Sequence, residues 1–155
     1  MREGGGESPP RVSLKEVLGS WVGAFLGIFA VGFLGHLVHL EQQDILFLIG
    51  SFGASALLLY GTPGVPLAQP RNLMSDHILS AFTGVLMYGW IADLLYLYGA
   101  LSVATAIAVM HLTKTTHPPG GATALIAVIG SEQVHQLGFL YVLSPVALGA
   151  LIMLV

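Results

Sequence analysis

Two short runs of small and hydroxylated residues are the places in this chain best suited to bind something. They are Gly50-Ser51-Phe52-Gly53-Ala54-Ser55 and Thr116-His117-Pro118-Pro119-Gly120-Gly121-Ala122-Thr123. Each reads as an irregular entry into a short helix. A helix that begins inside an apolar medium leaves its first N–H groups without intrahelical partners and presents the positive end of its dipole. Glycines there remove side chains, so a ligand can reach those amides, and the end suits a small anion. The candidate substrate-binding residues are Ser51, Gly53, Ser55, Thr116, His117, Gly120, Gly121 and Thr123. His117 adds a ring that changes charge near neutral pH and could offer a proton or a positive charge. The same small residues also serve close helix contacts, and a lone histidine can simply cap a helix.

A second group lies beside the first run. Arg71 and Asn72 follow the loop Thr62-Pro63-Gly64-Val65-Pro66-Leu67-Ala68-Gln69-Pro70, and Lys114 precedes the second run. These three could gate the site or recruit an anion electrostatically, or they could be topology anchors. His36, His39 and His111 are expected near helix ends, His135 in an exposed loop, and His77 at the start of a span. No histidine pair has metal-ligand spacing, so neither metal nor cofactor is predicted. There is no cysteine, no Ser-His-Asp order, no Walker loop and no dinucleotide fingerprint, and no enzyme activity is expected.

The elements that must position these residues are set by composition. Of 155 residues, 55% are hydrophobic and 8% charged, with mean hydropathy +0.83. Beyond residue 16 the only charges are Glu41, Asp44, Arg71, Asp76, Asp93, Lys114 and Glu132. A soluble globule cannot cover its surface with so few. Net charge is −3 with no basic cluster, which argues against nucleic acid. The composition predicts an all-α polytopic membrane protein: a polar, disordered tail over 1–16, then one membrane domain over 17–155. Lipid is therefore a partner, and self-association into a homo-oligomer is allowed.

The stretches 17–40, 77–95, 96–113 and 138–155 read as four full spans, since a bilayer needs about 20 helical residues. The first carries Gly19, Gly23 and Gly27 at four-residue spacing, which lets another helix approach. A tight turn is expected near Asp93–Gly99, with Trp90, Tyr96 and Tyr98 at the interface. The last stretch stops at Val155 in mid-apolar sequence, which predicts a longer natural chain. The runs 45–60 and 115–130 are too short or too interrupted to be plain spans. They resemble each other: Gly53-Ala54-Ser55-Ala56-Leu57-Leu58 matches Gly121-Ala122-Thr123-Ala124-Leu125-Ile126 at an offset of 68. The pattern span, broken segment, span thus occurs twice, over about 17–93 and 94–155. If each broken segment crosses, there are six crossings in two inverted repeats. Arg11, Lys15, Arg71, Lys114 and both chain ends then share the cytoplasmic face, in agreement with the positive-inside rule. Short broken helices at matching places in an inverted repeat point to a transporter's midplane site.

At these residues the chain resembles the HPP family of integral membrane proteins. Thr116-His117-Pro118-Pro119-Gly120-Gly121-Ala122-Thr123-Ala124-Leu125 is similar to its His-Pro-Pro signature. Gly50-Ser51-Phe52-Gly53-Ala54-Ser55-Ala56 and Pro66-Leu67-Ala68-Gln69-Pro70-Arg71-Asn72 resemble two further blocks. Gly120 stands where that pattern often has alanine. Descriptions of the family count four membrane helices. Members in chloroplast envelopes and cyanobacteria are associated with nitrite transport, so the resemblance implies a transporter or channel for a small inorganic anion, nitrite first. The alternatives are a pore for a small neutral solute and a membrane anchor or sensor. The expected location is a bacterial plasma membrane.

Overall fold

A computed structural model describes residues 11–88 and 95–155, and every regular element there is helical. Residues 1–10 and the expected turn at Trp90 and Asp93 lie outside the described residues. Helix α1 (Leu14–Leu37) begins earlier than composition suggested. The Ser13 hydroxyl accepts from the Glu16 N–H at 3.3 Å, and the Glu16 carboxylate accepts from the Ser13 N–H at 2.6 Å. This capping box satisfies two end amides, so Lys15 and Glu16 belong to the helix rather than to a polar tail.

Helix α2 (Gln42–Ala56) winds on through a wider π turn, Leu57–Gly61. The expected interruption at Gly50, Ser51 and Gly53 does not occur. Glycine costs about 1 kcal/mol in a helix in water. In an apolar medium a broken backbone costs more, because every N–H and C=O needs a partner inside the segment. The α1 glycines let α2 lie close and antiparallel. A Cβ at Gly35 would come within 3.0 Å of Ile45 Cγ1, one at Gly32 within 3.2 Å of Ile49 Cδ1, and one at Gly23 within 3.0 Å of the Tyr60 ring. Gly19 faces open space. The opposite face of α1 exposes Trp21, Phe25, Phe29 and Phe33, stacked in series at 5.6–6.2 Å.

After the loop with the 3-10 turn Pro66–Ala68 comes α3 (Pro70–Tyr88). It starts seven residues before the expected span, with Pro70 in the first turn where its missing N–H costs nothing. Asp76 and His77, which the sequence places at the edge of a span, are therefore inside a helix. Helix α4 (Leu95–Thr113) contains Gly99, and Tyr98 is buried while Tyr96 is exposed. The second irregular run behaves as expected: turns lead into the short α5 (Gly120–Ile129). Then follow α6 (Glu132–Leu137), the π turn Val142–Ala147 and α7 (Leu148–Ile152). The expected last span is thus in two pieces, because Ser144 takes extended backbone before Pro145 (φ −140°, ψ 121°), as pre-proline residues tend to.

Among the described residues, three helical stretches are long and apolar enough to cross a membrane: Leu14–Leu37, Gln42–Gly61 and Leu95–Thr113. Helix α5 sits at the centre. Gly84 of α3 packs directly on its Ala124 carbonyl, and the Ser102 hydroxyl of α4 donates to that same oxygen at 2.9 Å. One end of the bundle is tied by Arg71, which donates to Thr113 O at 3.2 Å, and by Tyr60, which donates to Met153 O at 2.7 Å. The other end is tied by Asp44, whose carboxylate accepts from both the N–H and the hydroxyl of Ser131. Also there, Tyr88 stacks on His135 at 3.6 Å. Asp44 is fully buried. Asp44→Ala would strip the Ser131 N–H of its partner, a loss of about 1–3 kcal/mol. A clearly lower melting temperature in detergent, against wild type, is the expected reading.

Candidate functional site

Two turns of α2, one turn of α3 and the start of α5 put five polar side chains together in the helix core. Ser51 and Ser55 lie one turn apart and face the same way. His77 comes from α3, Thr123 from the first turn of α5, and His117 from the turn before it. All five are buried, none more than 2% exposed. They form one continuous chain of hydrogen bonds. His117 Nδ1 donates to Leu67 O at 2.8 Å, and its Nε2 meets Ser55 Oγ at 2.9 Å. Ser55 Oγ also meets His77 Nε2 at 2.9 Å, and His77 Nδ1 meets Thr123 Oγ1 at 2.7 Å. Thr123 Oγ1 meets Ser51 Oγ at 2.9 Å, and Ser51 donates to Pro119 O at 3.0 Å. The Phe52 ring stacks on His77 at 4.5 Å and fixes its plane, while the two imidazoles stand edge to face at 5.5 Å. Ser55 and Thr123, which occupy matching places in the two similar strings, hold opposite nitrogens of the same His77 ring.

Asp76 sits beside this cluster, fully buried. Its Oδ1 accepts from Ser80 at 3.3 Å, and Oδ2 has no hydrogen-bond partner. Its carboxyl fills the space over Gly120, so that a Cβ at Gly120 would overlap it. That gives the glycine at this position a local reason.

The structure brings together five of the residues singled out by type and spacing: Ser51, Ser55, His117, Thr123 and, against Asp76, Gly120. It does not supply the free amides. Ser51–Ser55 are mid-helix in α2, so their N–H groups lie in the helix's own ladder. Before α5, the N–H groups of Gly120, Gly121 and Ala122 donate to the carbonyls of His117, Pro118 and Pro119. Binding here therefore falls to side chains, not to helix-end amides. Gly53 and Gly121 are not twins either. Gly53 has no atom within 4 Å of where a Cβ would stand. Gly121 lines a separate apolar cavity of about 490 Å³ with Thr116, Pro118, Val103, Ile107 and Met110.

The candidate gating residues act as fasteners. Arg71 caps the carbonyl end of α4, where the dipole favours a cation. Asn72 donates to Pro66 O and Thr116 O, both at 3.1 Å, and so ties the Thr62–Gln69 loop to the segment carrying His117. Lys114 is exposed, with φ +56°. His36 and His111 stand in the last turns of α1 and α4 and His39 just beyond α1, near helix ends as expected, and all three are exposed. His135 is partly buried rather than free in a loop, its Nε2 donating to Val128 O at 3.2 Å and its ring stacked on Tyr88.

Residue type and spacing do not single out Asp76 and His77, because a lone charge ahead of an apolar run marks the edge of a span. The usable signal was Asn72, Asp76, Ser80 and Gly84, a polar and small stripe at four-residue spacing within otherwise apolar sequence.

A family described as HPP, transmembrane region, matches residues 9–155. A Dictyostelium discoideum protein named as a transmembrane protein is 47% identical over 98% of this chain and 49% of its own length. A second transmembrane protein of Dictyostelium discoideum is 43% identical over 94% of this chain and 52% of its own. The chain thus spans about half the length of these curated relatives. No solved structure matches.

Proposed function

The chain belongs to the HPP family of transmembrane proteins, and on that footing we propose that it moves a small inorganic anion across the membrane, nitrite first among candidates. The observation that carries the reading is the closed cluster of hydroxyls and imidazoles where α2, α3 and α5 meet. Ionisable groups inside a membrane bundle are costly and mark solute or proton pathways. Hydroxyl and imidazole N–H groups are donors, and turned from one another toward a small oxyanion they are groups it accepts from. No covalent chemistry is assigned. The fastened loop over Leu67 and His117 closes the cluster on one side, so access requires its release from Asn72. Nitrite uptake by purified protein in proteoliposomes, against protein-free liposomes, tests the reading.

A second reading, a pore for a small neutral solute, is favoured by Asp76. Its acceptor carboxyl stands over the start of α5, where an anion would otherwise go. Urea or glycerol permeation without nitrite uptake would decide for it.

The same proposal includes six crossings in two inverted halves. Support comes from the ties at the ends of the bundle: Arg71 to Thr113 and Tyr60 to Met153 at one end, Asp44 to Ser131 at the other. Gln43, Gln69, Lys114 and Gln133 are exposed, and the chain has no native cysteine. Single cysteines at Gln69 and Lys114 should label from the cytoplasm, and those at Gln43 and Gln133 from the opposite side. Labelling of Gln43 and Gln69 from one side would end the six-crossing arrangement. The two relatives are amoebal, not bacterial, so they lend no support to a bacterial plasma membrane.

A further inference from the structure

The hydrogen-bond chain through the cluster is one hydrogen short. It runs between two backbone carbonyls, Leu67 O and Pro119 O, which can only accept. Between them stand His117, Ser55, His77, Thr123 and Ser51, joined by six contacts. Each of these five side chains carries a single polar hydrogen when neutral, so five hydrogens must serve six contacts. A neutral chain therefore always contains one contact with no hydrogen in it, in a buried place where an unmade bond is costly.

We propose that the cluster is a binding site for one proton, held between His77 and His117 and exchanged through the Ser55 hydroxyl. One added proton supplies the sixth hydrogen. With His117 doubly protonated, its Nδ1 donates to Leu67 O and its Nε2 to Ser55. Ser55 then donates to His77 Nε2, His77 Nδ1 to Thr123, Thr123 to Ser51, and Ser51 to Pro119 O. The exchange balances. The N–H bond at His117 Nε2 breaks as an O–H bond forms at Ser55, while the former Ser55 O–H bond breaks as an N–H bond forms at His77 Nε2. His77 is then the doubly protonated ring and all six contacts are still made.

The charge this creates must be offset, since an isolated buried cation is costly. Among the described residues, the charged and titratable groups around the cluster are few. On α3, Asp76 is the next residue to His77 and has a free Oδ2. Tyr141 donates to Thr123 O at 3.3 Å. On α2, Asp44 is engaged by Ser131 at the far end. Arg71 is turned to Thr113 O, while His111 in the last turn of α4 and Lys114 just beyond it are exposed. The counter-charge is thus Asp76 or an arriving anion. The link to transport rests on the reading above: a proton and an anion taken up together cross without net charge.

The test is a titration of ¹⁵N-histidine-labelled full chain in lipid bilayers, followed by NMR. His36, His39, His111 and His135 are replaced by glutamine so that only His77 and His117 report. The expected result is uptake of one proton by the pair, with both rings sharing the imidazolium signal. Ser51→Ala deletes one link and one carbonyl end, leaving four hydrogens for four contacts. Its proton affinity should fall about tenfold or more, the scale of one hydrogen bond to a charged group. Ser51→Thr keeps the hydroxyl and should titrate as the parent does. Rings that stay neutral throughout, two protons taken up together, or an unchanged midpoint in Ser51→Ala would each overturn the proposal. The titration needs no transport. One-proton uptake without nitrite flux would leave the proton site standing and remove the transport reading, and the reverse outcome would do the opposite.

Discussion

Replacing Gly84 with leucine should prevent the helices from assembling around α5. A Cβ at this position would press into the Ala124 carbonyl, 3.1 Å from its carbon and 2.7 Å from the Ala127 Cβ. These are backbone and near-backbone atoms, so no side chain can swing away. Ser102 also holds the same carbonyl from α4, which fixes α5 from the other side. Overpacking a tight contact costs about 1–3 kcal/mol even where neighbours can shift, and here α3 or α5 must move bodily. Gly84→Leu should yield protein that reaches the membrane but elutes as aggregate in mild detergent. Gly53→Leu, directed into open space, should elute as wild type does. A monodisperse Gly84→Leu protein would show that α3 and α5 do not cross this closely.

His77→Ala should stop transport while leaving the bundle assembled. The ring is the middle of the polar chain, held by Ser55 on one nitrogen and Thr123 on the other. Removing it deletes two hydrogen bonds and cuts the chain between Ser55 and Thr123, while Ser51 stays bonded to Thr123 and Pro119 O. If the anion is stabilised by a charged ring, losing one such bond is worth about 1.5–3 kcal/mol, or roughly tenfold or more in uptake rate. The packing that carries the fold, at Gly84, Ser102 and Asp44, is elsewhere. His77→Gln, which retains a donor and an acceptor, should keep part of the activity. His135→Ala, at the far end against Tyr88, should keep all of it.

Much of this arrangement was legible in the residues. The helical membrane class follows from seven charges in the last 139 positions. The short α5 follows from Pro118, Pro119, Gly120 and Gly121, which forbid a regular helix before it. Ser51, Ser55, His117 and Thr123 were found by type and spacing. Three features were not legible, each for a physical reason. Gly50 and Gly53 look like breakers by propensities measured in water, whereas an apolar medium forces the backbone to stay bonded. Amides that should be free at the start of α5 are consumed by the tight turns of His117–Pro119, which only coordinates reveal. Asp76 and His77 were read as an edge because charge usually ends a span. Here the helix runs through them, and its buried stripe can be seen only once α3 is known to start at Pro70.

The most direct test of the cluster as an anion pathway is the initial rate of nitrite uptake into proteoliposomes under an inward proton gradient. Wild type, His77→Ala and protein-free liposomes are compared, the last to subtract nitrous acid that crosses lipid unaided. A pathway through the cluster predicts saturable wild-type uptake, faster with the gradient than without it, and His77→Ala reduced to near the protein-free rate. Equal uptake by wild type and His77→Ala, or wild-type uptake no faster than bare lipid, would contradict it.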